Sequence, residues 1–401
     1  MAGSGLGLSA AFVSASPIPS PITDNCPHRT SPPAAVDASE EVVAPATTPT
    51  PLPVPLSPVG GEQLAACGVI AAANTGPIPP RLTSAGWLVA DMDTGEIIAA
   101  KDPHGRYRPA STIKVLLALV ALDELDLNAV VTPTVEDWSQ EGDSCGMGPG
   151  GHYTVRTLLT GLMMVSGNDC AHALARTLGG VDSALTKMNQ RAKELHALDT
   201  RAASPSGLDA AGMSTSPYDL ALIFRAAMSN SVFREIIAMP SYRFPGYPPR
   251  SDVPSDTPHP AYDMQTSNHL LLQGYPGSLG GKTGYTDDAL KTFVGAAHQN
   301  GRTIMIVQMY GLSTADDNYW TQAQSLLDFG FSSPPGSGVG QLVGTTSGSP
   351  HESTSAASNP GNATHTDAPH SSAKKVLYGL VALLAVVLLI AAATRLTRTR
   401  R

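Results

Sequence analysis

Residues 111–125 read Ser-Thr-Ile-Lys-Val-Leu-Leu-Ala-Leu-Val-Ala-Leu-Asp-Glu-Leu. Apolar side chains lie on every side of this segment, which predicts a buried helix rather than an amphipathic surface helix. Ser111 and Lys114 are three residues apart, so on a helix their side chains share one face and can come within hydrogen-bond reach. The stretch therefore predicts a buried helix that begins with a paired hydroxyl and amine.

Strand signals lie on both sides of a helix-rich middle region. Strands are predicted over 87–92 and 96–101, joined by Asp-Thr-Gly, and over 292–297 and 303–310, joined by Asn-Gly. Strands at both ends of the body predict an α+β fold with one sheet assembled from the termini and helices packed against it. Besides the first, the predicted helices cover residues 154–178 with a break near 166–168, 217–227, 231–239 and 318–329.

Composition separates a core from flanking low-complexity segments. The chain has 401 residues, of which 42% are hydrophobic, enough for a sizeable core. Residues 17–58 contain twelve prolines, which predicts an extended, polyproline-like arm over 16–67. Residues 332–373 are rich in Ser, Thr, Gly, Pro and Ala, which predicts a flexible stalk. We therefore expect the globular domain over 68–331.

Both ends of the chain carry targeting signals. Residues 376–394 are uncharged, and as a helix they span about 28 Å, which predicts a single transmembrane helix. Basic residues are more frequent after this span, so within 374–401 we expect a cytoplasmic basic tail, and the body outside the membrane. Residues 1–15 resemble part of a secretory signal, without the usual basic start. We therefore expect a single-pass protein of the cell membrane.

Four cysteines fit an oxidising compartment, where disulfides form and persist. None lies in a Cys-x-x-Cys pair, so the sequence gives no support to a zinc site or to thioredoxin-like chemistry. Four cysteines allow three pairings. We prefer Cys26 with Cys67 and Cys145 with Cys170, since this keeps each bridge within one region of the chain. Free buried thiols remain the alternative.

The charge and the histidines argue against several classes of function. The net charge of -8 and the 5% aromatic content give no support to a nucleic-acid-binding surface. The eleven histidines are scattered, without His-Glu-x-x-His or His-x-His, so we expect no metal and no cofactor. His104 and His152 are interpreted as surface or loop residues.

Two further motifs carry polar groups suited to catalysis. Ser-Gly-Asn at 166–168 offers a hydroxyl for proton relay and an amide for orientation. Lys-Thr-Gly at 282–284 offers a lysine and a hydroxyl that can hold a carboxylate, and a glycine that lets a substrate backbone approach a strand edge. A second lysine near Lys114 also helps to keep that amine neutral. Each motif alone is better explained as a turn.

The three motifs together, in this order, resemble the active-site motifs of penicillin-recognising serine enzymes. The longer stretches 102–110, 204–209, 213–216 and 281–287 resemble the D-alanyl-D-alanine carboxypeptidases among the low-molecular-mass penicillin-binding proteins. The arm and the C-terminal anchor resemble the actinobacterial members. The resemblance implies a β-lactamase/transpeptidase-like fold, a mainly antiparallel sheet flanked by helices with a helical subdomain, and a site at their junction.

The resemblance also implies roles for the first two motifs. Ser111 is expected to attack the penultimate D-alanine carbonyl of a peptidoglycan stem peptide, and Lys114 to accept its proton. Ser166 is expected to pass a proton to the departing D-alanine, and Asn168 to orient the groups around it. β-Lactam antibiotics are expected to acylate the same serine and so to inhibit the enzyme.

The third motif is expected to bind the substrate. Lys282 and Thr283 are expected to hold the terminal carboxylate beside Gly284. The backbone N–H groups of Ser111 and Tyr285 are expected to form the oxyanion hole.

Alternatives share parts of this site. A class A β-lactamase needs a deacylating Glu, whose Glu-x-x-Leu-Asn pattern is absent from the chain. A non-catalytic stem-peptide-binding protein would not need Ser111 and Lys114. Hydrolysis and transfer to an amine share one acyl-enzyme, so the choice between them rests on the resemblance.

Residues 287–291 place a bulky Leu and a Lys after the third motif, where they can alter strand packing or substrate preference.

Overall fold

The computed structural model describes residues 20–313, 318–336 and 338–344, in which a seven-stranded sheet packs against helices. Short 3-10 helices cover Glu62–Ala65 and Ala110–Ile113. The α-helices are α1 (Lys114–Glu124), α2 (Val135–Trp138), α3 (Val155–Met164), α4 (Asn168–Thr177), α5 (Val181–Glu194), α6 (Pro217–Ser229), α7 (Ser231–Ile237), α8 (His269–Leu272) and α9 (Tyr319–Ser332). The strands are β1 (Val69–Ala71), β2 (Gly86–Asp91), β3 (Glu96–Lys101), β4 (Val130–Val131), β5 (Tyr153–Thr154), β6 (Ser241–Phe244), β7 (Tyr262–Gln265), β8 (Ser278–Thr286), β9 (Leu290–Gln299), β10 (Arg302–Gly311) and β11 (Gly340–Gln341).

The main sheet is antiparallel, with the strand order β1-β3-β2-β10-β9-β8 and with β11 also paired to β3. The two predicted hairpins are confirmed as β2–β3 and β9–β10. They meet at the centre of the sheet, where Val89 of β2 pairs with Ile306 of β10. Strands from the two ends of the body therefore form one sheet, which is the predicted α+β arrangement, and β8 lies at its edge.

Alternate residues of the central strands face two separate cores, because successive side chains of a strand point to opposite faces. Leu88 and Ala90 belong to the core shared with α1 and α6. Trp87 and Val89 belong to the core beneath α9. Helix α1 is buried from Lys114 to Ala121, as its lack of a polar face predicts. The 3-10 turn that precedes α1 contacts β8 and β9, which places the start of the helix at the sheet edge.

Two local departures from helical geometry lie at the predicted motifs. The helix predicted from residue 111 begins instead with a 3-10 turn, whose first residue, Ala110, is left-handed with φ 47°. The predicted break is confirmed between α3 and α4, where Ser166 has φ 66°. A left-handed non-glycine residue costs roughly 1–3 kcal/mol, so the surrounding structure must hold both residues in place.

The proline-rich arm lies against the body from residue 20 onward. Lys101 Nζ donates to Pro21 O at 2.6 Å, and Arg201 Nη2 donates to Thr50 O at 3.0 Å. Apart from the turn at Glu62–Ala65, the segment 20–67 has no helix or strand, as its prolines require. The expected boundary at residue 68 therefore does not separate two structural units.

Two buried guanidinium groups hold the arm. A proline-rich segment has more carbonyl acceptors than N–H donors, so its buried carbonyls need donors from elsewhere. Arg106, which is 1% exposed, donates to Thr30 O at 3.0 Å, Leu52 O at 2.5 Å and Pro53 O at 3.0 Å. Arg108 donates to Pro33 O at 2.7 Å. The arm is thus attached through main-chain carbonyls rather than through regular secondary structure.

The C-terminal side of the body extends beyond residue 331. Val339 and Leu342 are buried, β11 pairs with β3, and Tyr218 donates to Gln341 O at 2.9 Å. The first part of the predicted stalk, up to Gly344, is therefore part of the body rather than a flexible linker. The signal-like residues 1–15 and the predicted span 376–394 lie outside the described residues. No helix among the described residues is long and apolar enough to cross a membrane.

Both preferred disulfides are present. Cys26 is bonded to Cys67 across 41 residues, and Cys145 is bonded to Cys170 across 25 residues. The first joins two residues of the arm, one near each end of its described part. The second joins α4 to the loop before β5, whose amides at Cys145, Gly146 and Met147 donate to the carboxylate of Asp169.

Arg106→Met is predicted to release the arm. The substitution removes every guanidinium donor from the three arm carbonyls and leaves Asp199 without one of its partners. We expect the free energy of unfolding to fall by about 2–4 kcal/mol and the segment 30–60 to become sensitive to proteinase K. The matched control, Arg201→Met, removes one exposed donor to the arm and should leave both measurements nearly unchanged. Equal proteolysis of the two variants would contradict the proposed attachment.

Replacing both cysteines of either bridge by serine is predicted to lower the free energy of unfolding by about 3–4 kcal/mol in the chain-entropy model. The two double variants should differ locally. Loss of Cys145–Cys170 should speed amide exchange at residues 145–147, whereas loss of Cys26–Cys67 should leave those amides protected. Hydrogen exchange with mass spectrometry measures this, and equal exchange in the two variants would refute a local role for the second bridge.

Candidate active site

The three motifs meet in one cavity of about 400 Å³ at the junction of the sheet edge and the helices. Its wall includes Ser111 from the turn before α1, Ser166 and Asn168 from the α3–α4 break, and Thr283 and Gly284 from β8. The sequence-predicted residues are thus brought together although they are far apart along the chain. Lys114 and Lys282 lie beneath the wall and are 0% and 1% exposed.

Three oxygen atoms surround the Lys114 amine. Its Nζ lies 2.8 Å from Ser111 Oγ, 2.7 Å from Asn168 Oδ1 and 2.5 Å from Ser206 O. A neutral amine has two N–H donors and one lone pair. The amide and carbonyl oxygens can only accept, so they take the two N–H groups. The lone pair then faces the hydroxyl of Ser111, which is the arrangement a base needs.

The electrostatics favour a neutral Lys114. Burial lowers its pKa well below the ordinary value, and the nearby charge of Lys282 lowers it further, while Asp143 opposes both effects. Burial lowers the pKa of Lys282 as well, to about 7. Lys282 Nζ donates to Thr283 O at 2.6 Å, so its position beneath β8 is fixed. The amine of Lys114 is therefore available to accept a proton at a lower pH than an ordinary lysine allows.

The Ser166 hydroxyl is buried and makes no hydrogen bond to any residue that the structure describes. It lines the cavity beside Asn168, so its proton and its lone pairs are available to a bound molecule. Asn168 is fixed by its own contacts, since Nδ2 donates to Glu141 O at 2.6 Å and the backbone N–H donates to Asp143 O at 2.6 Å. These bonds direct Oδ1 toward Lys114.

Glycine is required where β8 passes Ser111. A Cβ atom at Gly284 would lie 2.4 Å from Thr292 Oγ1 and 2.8 Å from Ser111 N. On the other side, Gly207 has φ +86°, and a Cβ there would lie 2.0 Å from Ala110 O. These contacts place the backbone of β8 beside the amide of Ser111. The oxyanion hole expected from Ser111 and Tyr285 stays a prediction that this proximity supports.

Several residues of the site were not assigned by sequence reasoning. Ser206 contributes only its main-chain carbonyl. Every residue has this group, so the identity of the side chain does not indicate the role. Ser267 Oγ lies 2.9 Å from Thr283 Oγ1 and thereby positions the threonine hydroxyl. Asp143 lines the cavity, and Thr292 donates to Pro109 O at 2.8 Å. The stretch 204–209 carries part of the family resemblance, but its residue types do not indicate the contact between Ser206 O and Lys114.

Two clusters of metal-ligating residue types exist among the described residues, and both are internally bonded. Cys145 and Cys170, beside Asp169, are in a disulfide. His104 Nδ1 lies 2.9 Å from Asp199, and its Nε2 lies 3.0 Å from Val59 O, so both ring nitrogens are engaged. The other member of that cluster is Asp219.

The surface interpretation of His104 is wrong. The side chain is 11% exposed and is held between Asp199 and the arm, although it does lie in a loop. Burial lowers its pKa, but the hydrogen bond and charge of Asp199 outweigh burial, and the pKa is raised. His152 is exposed, as expected.

Comparison with known proteins identifies the family. A family model described as D-alanyl-D-alanine carboxypeptidase, Peptidase S11, matches residues 73–312. The D-alanyl-D-alanine carboxypeptidase DacB2 of Mycobacterium tuberculosis is 49% identical over 275 residues, which cover 67% of this chain and 89% of that protein. The D-alanyl-D-alanine carboxypeptidase of Streptomyces sp. strain K15 is 28% identical over 284 residues, which cover 68% of this chain and 95% of that protein.

Solved structures agree with this assignment. The D-alanyl-D-alanine carboxypeptidase of Mycobacterium tuberculosis H37Rv superposes with a TM-score of 0.62 at 46% identity, covering 68% of this chain and 99% of that one. The Streptomyces K15 DD-transpeptidase superposes with a TM-score of 0.57 at 28% identity, covering 63% and 98%. The matched region contains all three motifs of the cavity, and the chain belongs to the D-alanyl-D-alanine carboxypeptidase family, Peptidase S11.

Proposed function

We propose that this protein is a serine-type D-alanyl-D-alanine carboxypeptidase, which removes the terminal D-alanine of peptidoglycan stem peptides through an acyl-enzyme on Ser111. The observation that carries the proposal is the amine of Lys114, 2.8 Å from Ser111 Oγ, with its two other neighbours able only to accept hydrogen bonds. This contact provides an activated nucleophile inside a cleft that is open to a peptide.

Acylation uses the three motifs in sequence. The lone pair of Lys114 takes the hydroxyl proton, and Ser111 Oγ forms a bond to the carbonyl carbon of the penultimate D-alanine. The backbone N–H groups of Ser111 and Tyr285 stabilise the resulting oxyanion. As the tetrahedral intermediate collapses, the C–N bond breaks. Ser166, whose hydroxyl has no other partner among the described residues, relays the proton from the Lys114 ammonium to the leaving nitrogen, which returns Lys114 to its neutral form.

Deacylation restores the enzyme. A water molecule gives a proton to Lys114, and its oxygen attacks the ester carbonyl. The ester C–O bond then breaks as Ser111 Oγ takes the proton from the Lys114 ammonium, and the shortened peptide leaves with a new carboxylate. Asn168 keeps the lysine amine in place during both acylation and deacylation, because its side chain is held by a hydrogen bond to Glu141 O. An amine acceptor in place of water would give transpeptidation from the same intermediate.

β-Lactams are expected to enter the same cleft and to acylate Ser111. A β-lactamase would hydrolyse that adduct quickly, and a non-catalytic binder would form none, so the two alternatives give different outcomes with one reagent.

We further propose that residues 376–394 tether the enzyme to the cell membrane, with the catalytic body outside. The uncharged run of 19 residues and the basic residues after it support this proposal.

Ser111→Ala is predicted to abolish acylation by benzylpenicillin. Intact-mass measurement of the purified full-length chain should show a persistent adduct of one drug molecule, which the variant lacks. Ser371 and Ser372 offer matched controls, since each also stands three residues before a lysine. Ser371→Ala and Ser372→Ala should keep the adduct. An adduct on Ser111→Ala would overturn the assignment, and rapid drug loss without an adduct would favour the β-lactamase.

Lys114→Arg is predicted to reduce acylation by about 10²–10⁴-fold, because a guanidinium cannot act as a base near neutral pH. For the wild type, the lowered pKa of Lys114 means that the rate rises with pH as the amine loses its proton and levels off at a lower pH than an ordinary lysine allows. With an unperturbed lysine the rate would still be rising at pH ~10.4, its ordinary pKa. Stopped-flow acylation rates from pH 5 to 10 measure this profile.

The control for that variant is Lys101→Arg, at a buried lysine outside the cleft whose pKa is also lowered by burial. It should leave the pH profile unchanged. A wild-type rate that is still rising at pH 10, or a Lys114→Arg enzyme within tenfold of the wild type, would contradict the role of Lys114 as a base with a lowered pKa.

A further inference from the structure

The turn between β8 and β9 carries a buried carboxylate that is bonded to the arm. Asp288 is 2% exposed and stands three residues after Tyr285. Among the described residues, both hydrogen bonds to its carboxylate come from the arm: the backbone N–H of Val36 donates to Oδ1, and Ser39 Oγ donates to Oδ2 at 3.2 Å. A buried carboxylate without partners is costly, so these contacts tie the position of the turn to that of the arm.

The same part of the arm is bonded to the residues that lead into α1. Arg108 is 2% exposed and stands three residues before Ser111. Its Nε donates to Glu40 Oε1 at 2.6 Å, and its Nη1 donates to Pro33 O at 2.7 Å. A hydrogen bond between a guanidinium and a carboxylate is among the stronger contacts of a protein. The segment before α1 is therefore held by the arm as well.

The arm segment between these contacts is a compact turn. The backbone N–H of Ser39 donates to Asp37 Oδ1 at 2.8 Å, and that of Glu41 donates to Ala38 O at 3.0 Å. An aspartate that bonds to the backbone two residues later stabilises a turn of this kind. The groups that meet the β8–β9 turn and the segment before α1 are thus held at a fixed separation. We call residues 33–40 the clamp.

The clamp bridges the two segments that carry the expected oxyanion donors, the backbone N–H groups of Ser111 and Tyr285. Thr292 of β9 donates directly to the first segment at 2.8 Å. At the outer end of the two segments, Arg108 Nε and Asp288 Oδ2 lie 4.0 Å apart, too far for a hydrogen bond. Hydrogen bonds from each of these side chains to the clamp join the segments there.

We propose that the clamp sets the spacing of the oxyanion hole, with Asp288 and Arg108 as positioning residues for the acylation of Ser111. This inference rests on the proposed function and deepens it, because it gives the arm a part in the reaction. None of residues 33–40 is among the described residues of the cavity wall, so the clamp acts through β8 and the turn before α1. Since the oxyanion forms only during reaction, donor spacing affects the acylation rate rather than the initial binding of the ligand.

The test measures acylation of the full-length chain by benzylpenicillin. The dependence of the rate on drug concentration separates the dissociation constant of the initial complex from the first-order acylation constant. Asp288→Ala removes both contacts to the clamp, Asp288→Asn keeps the shape and one acceptor oxygen, and Ser39→Ala removes one contact from the arm side. Arg201→Met is the matched control, because Arg201 holds the arm at Thr50 rather than at the clamp.

The expected loss is confined to the acylation constant. Asp288→Ala should lower it by about tenfold, less than the roughly 10²–10³-fold cost of removing an oxyanion donor. The initial dissociation constant should change by less than about twofold. Asp288→Asn should keep about half of the wild-type acylation constant or more, since one oxygen can still accept from Val36 N. Arg201→Met should match the wild type in both constants.

Ser39→Ala tests whether Asp288 acts through the arm. Alone it should lower the acylation constant by about two- to threefold, the loss of one hydrogen bond at the edge of the clamp. Combined with Asp288→Ala it should add no further loss, because the contact between the two side chains is already absent. A double variant that shows the full sum of both losses would mean that Asp288 acts without the clamp, and would overturn the inference.

The remaining outcomes separate this inference from the proposed function. If the wild type forms no adduct, the acyl-enzyme assignment fails, and the inference fails with it. If the wild type is acylated but Asp288→Ala lowers only the fraction of chains that become labelled, the contact has a merely structural role and the inference is overturned. A change confined to the initial dissociation constant would overturn it too, because a displaced oxyanion donor must slow the reaction itself.

Discussion

The burial of the Lys114 amine is the constraint on which the site depends. A buried ammonium is costly, so the amine must be neutral or fully hydrogen-bonded. Its neighbours come from three separate parts of the chain, at Ser111, Asn168 and Ser206. Hydrogen bonds form only over a narrow range of distances, so each part must be positioned accurately. The left-handed Ala110 and Ser166 belong to this positioning, because both residues adjoin the groups that meet the amine.

The fold supplies rigid supports for these parts. The antiparallel sheet carries the third motif on its edge strand β8, where a peptide can lie along the backbone. Helix α1 is buried, so the serine at its start cannot shift without disturbing the core. The disulfide between Cys145 and Cys170 ties α4 to the loop that holds Asn168. Arm residues 20–67 add a further layer, attached by the guanidinium of Arg106.

Sequence reasoning reached the sheet, most of the helices and the three motifs because each leaves a local signature. The turn signals Asp-Thr-Gly and Asn-Gly identified the hairpins, and the unbroken apolar run identified α1. The sequence did not predict how the arm packs, because Arg106 and Arg108 donate hydrogen bonds to carbonyls more than 50 residues away. It misplaced His104 because the partner that buries it, Asp199, is distant in the chain.

The chain's residue types and order determined which chemistry is available: a serine and a lysine one helical turn apart, a second hydroxyl with an amide, and a lysine-threonine-glycine strand. The tertiary structure alone decided how these groups act. It buried Lys114 away from water, supplied the carbonyl of Ser206, and brought Thr283 and Gly284 into the same cavity wall as Ser111. The physical reason is that pKa, lone-pair direction and charge placement depend on neighbours in space, and long-range packing brings those neighbours together.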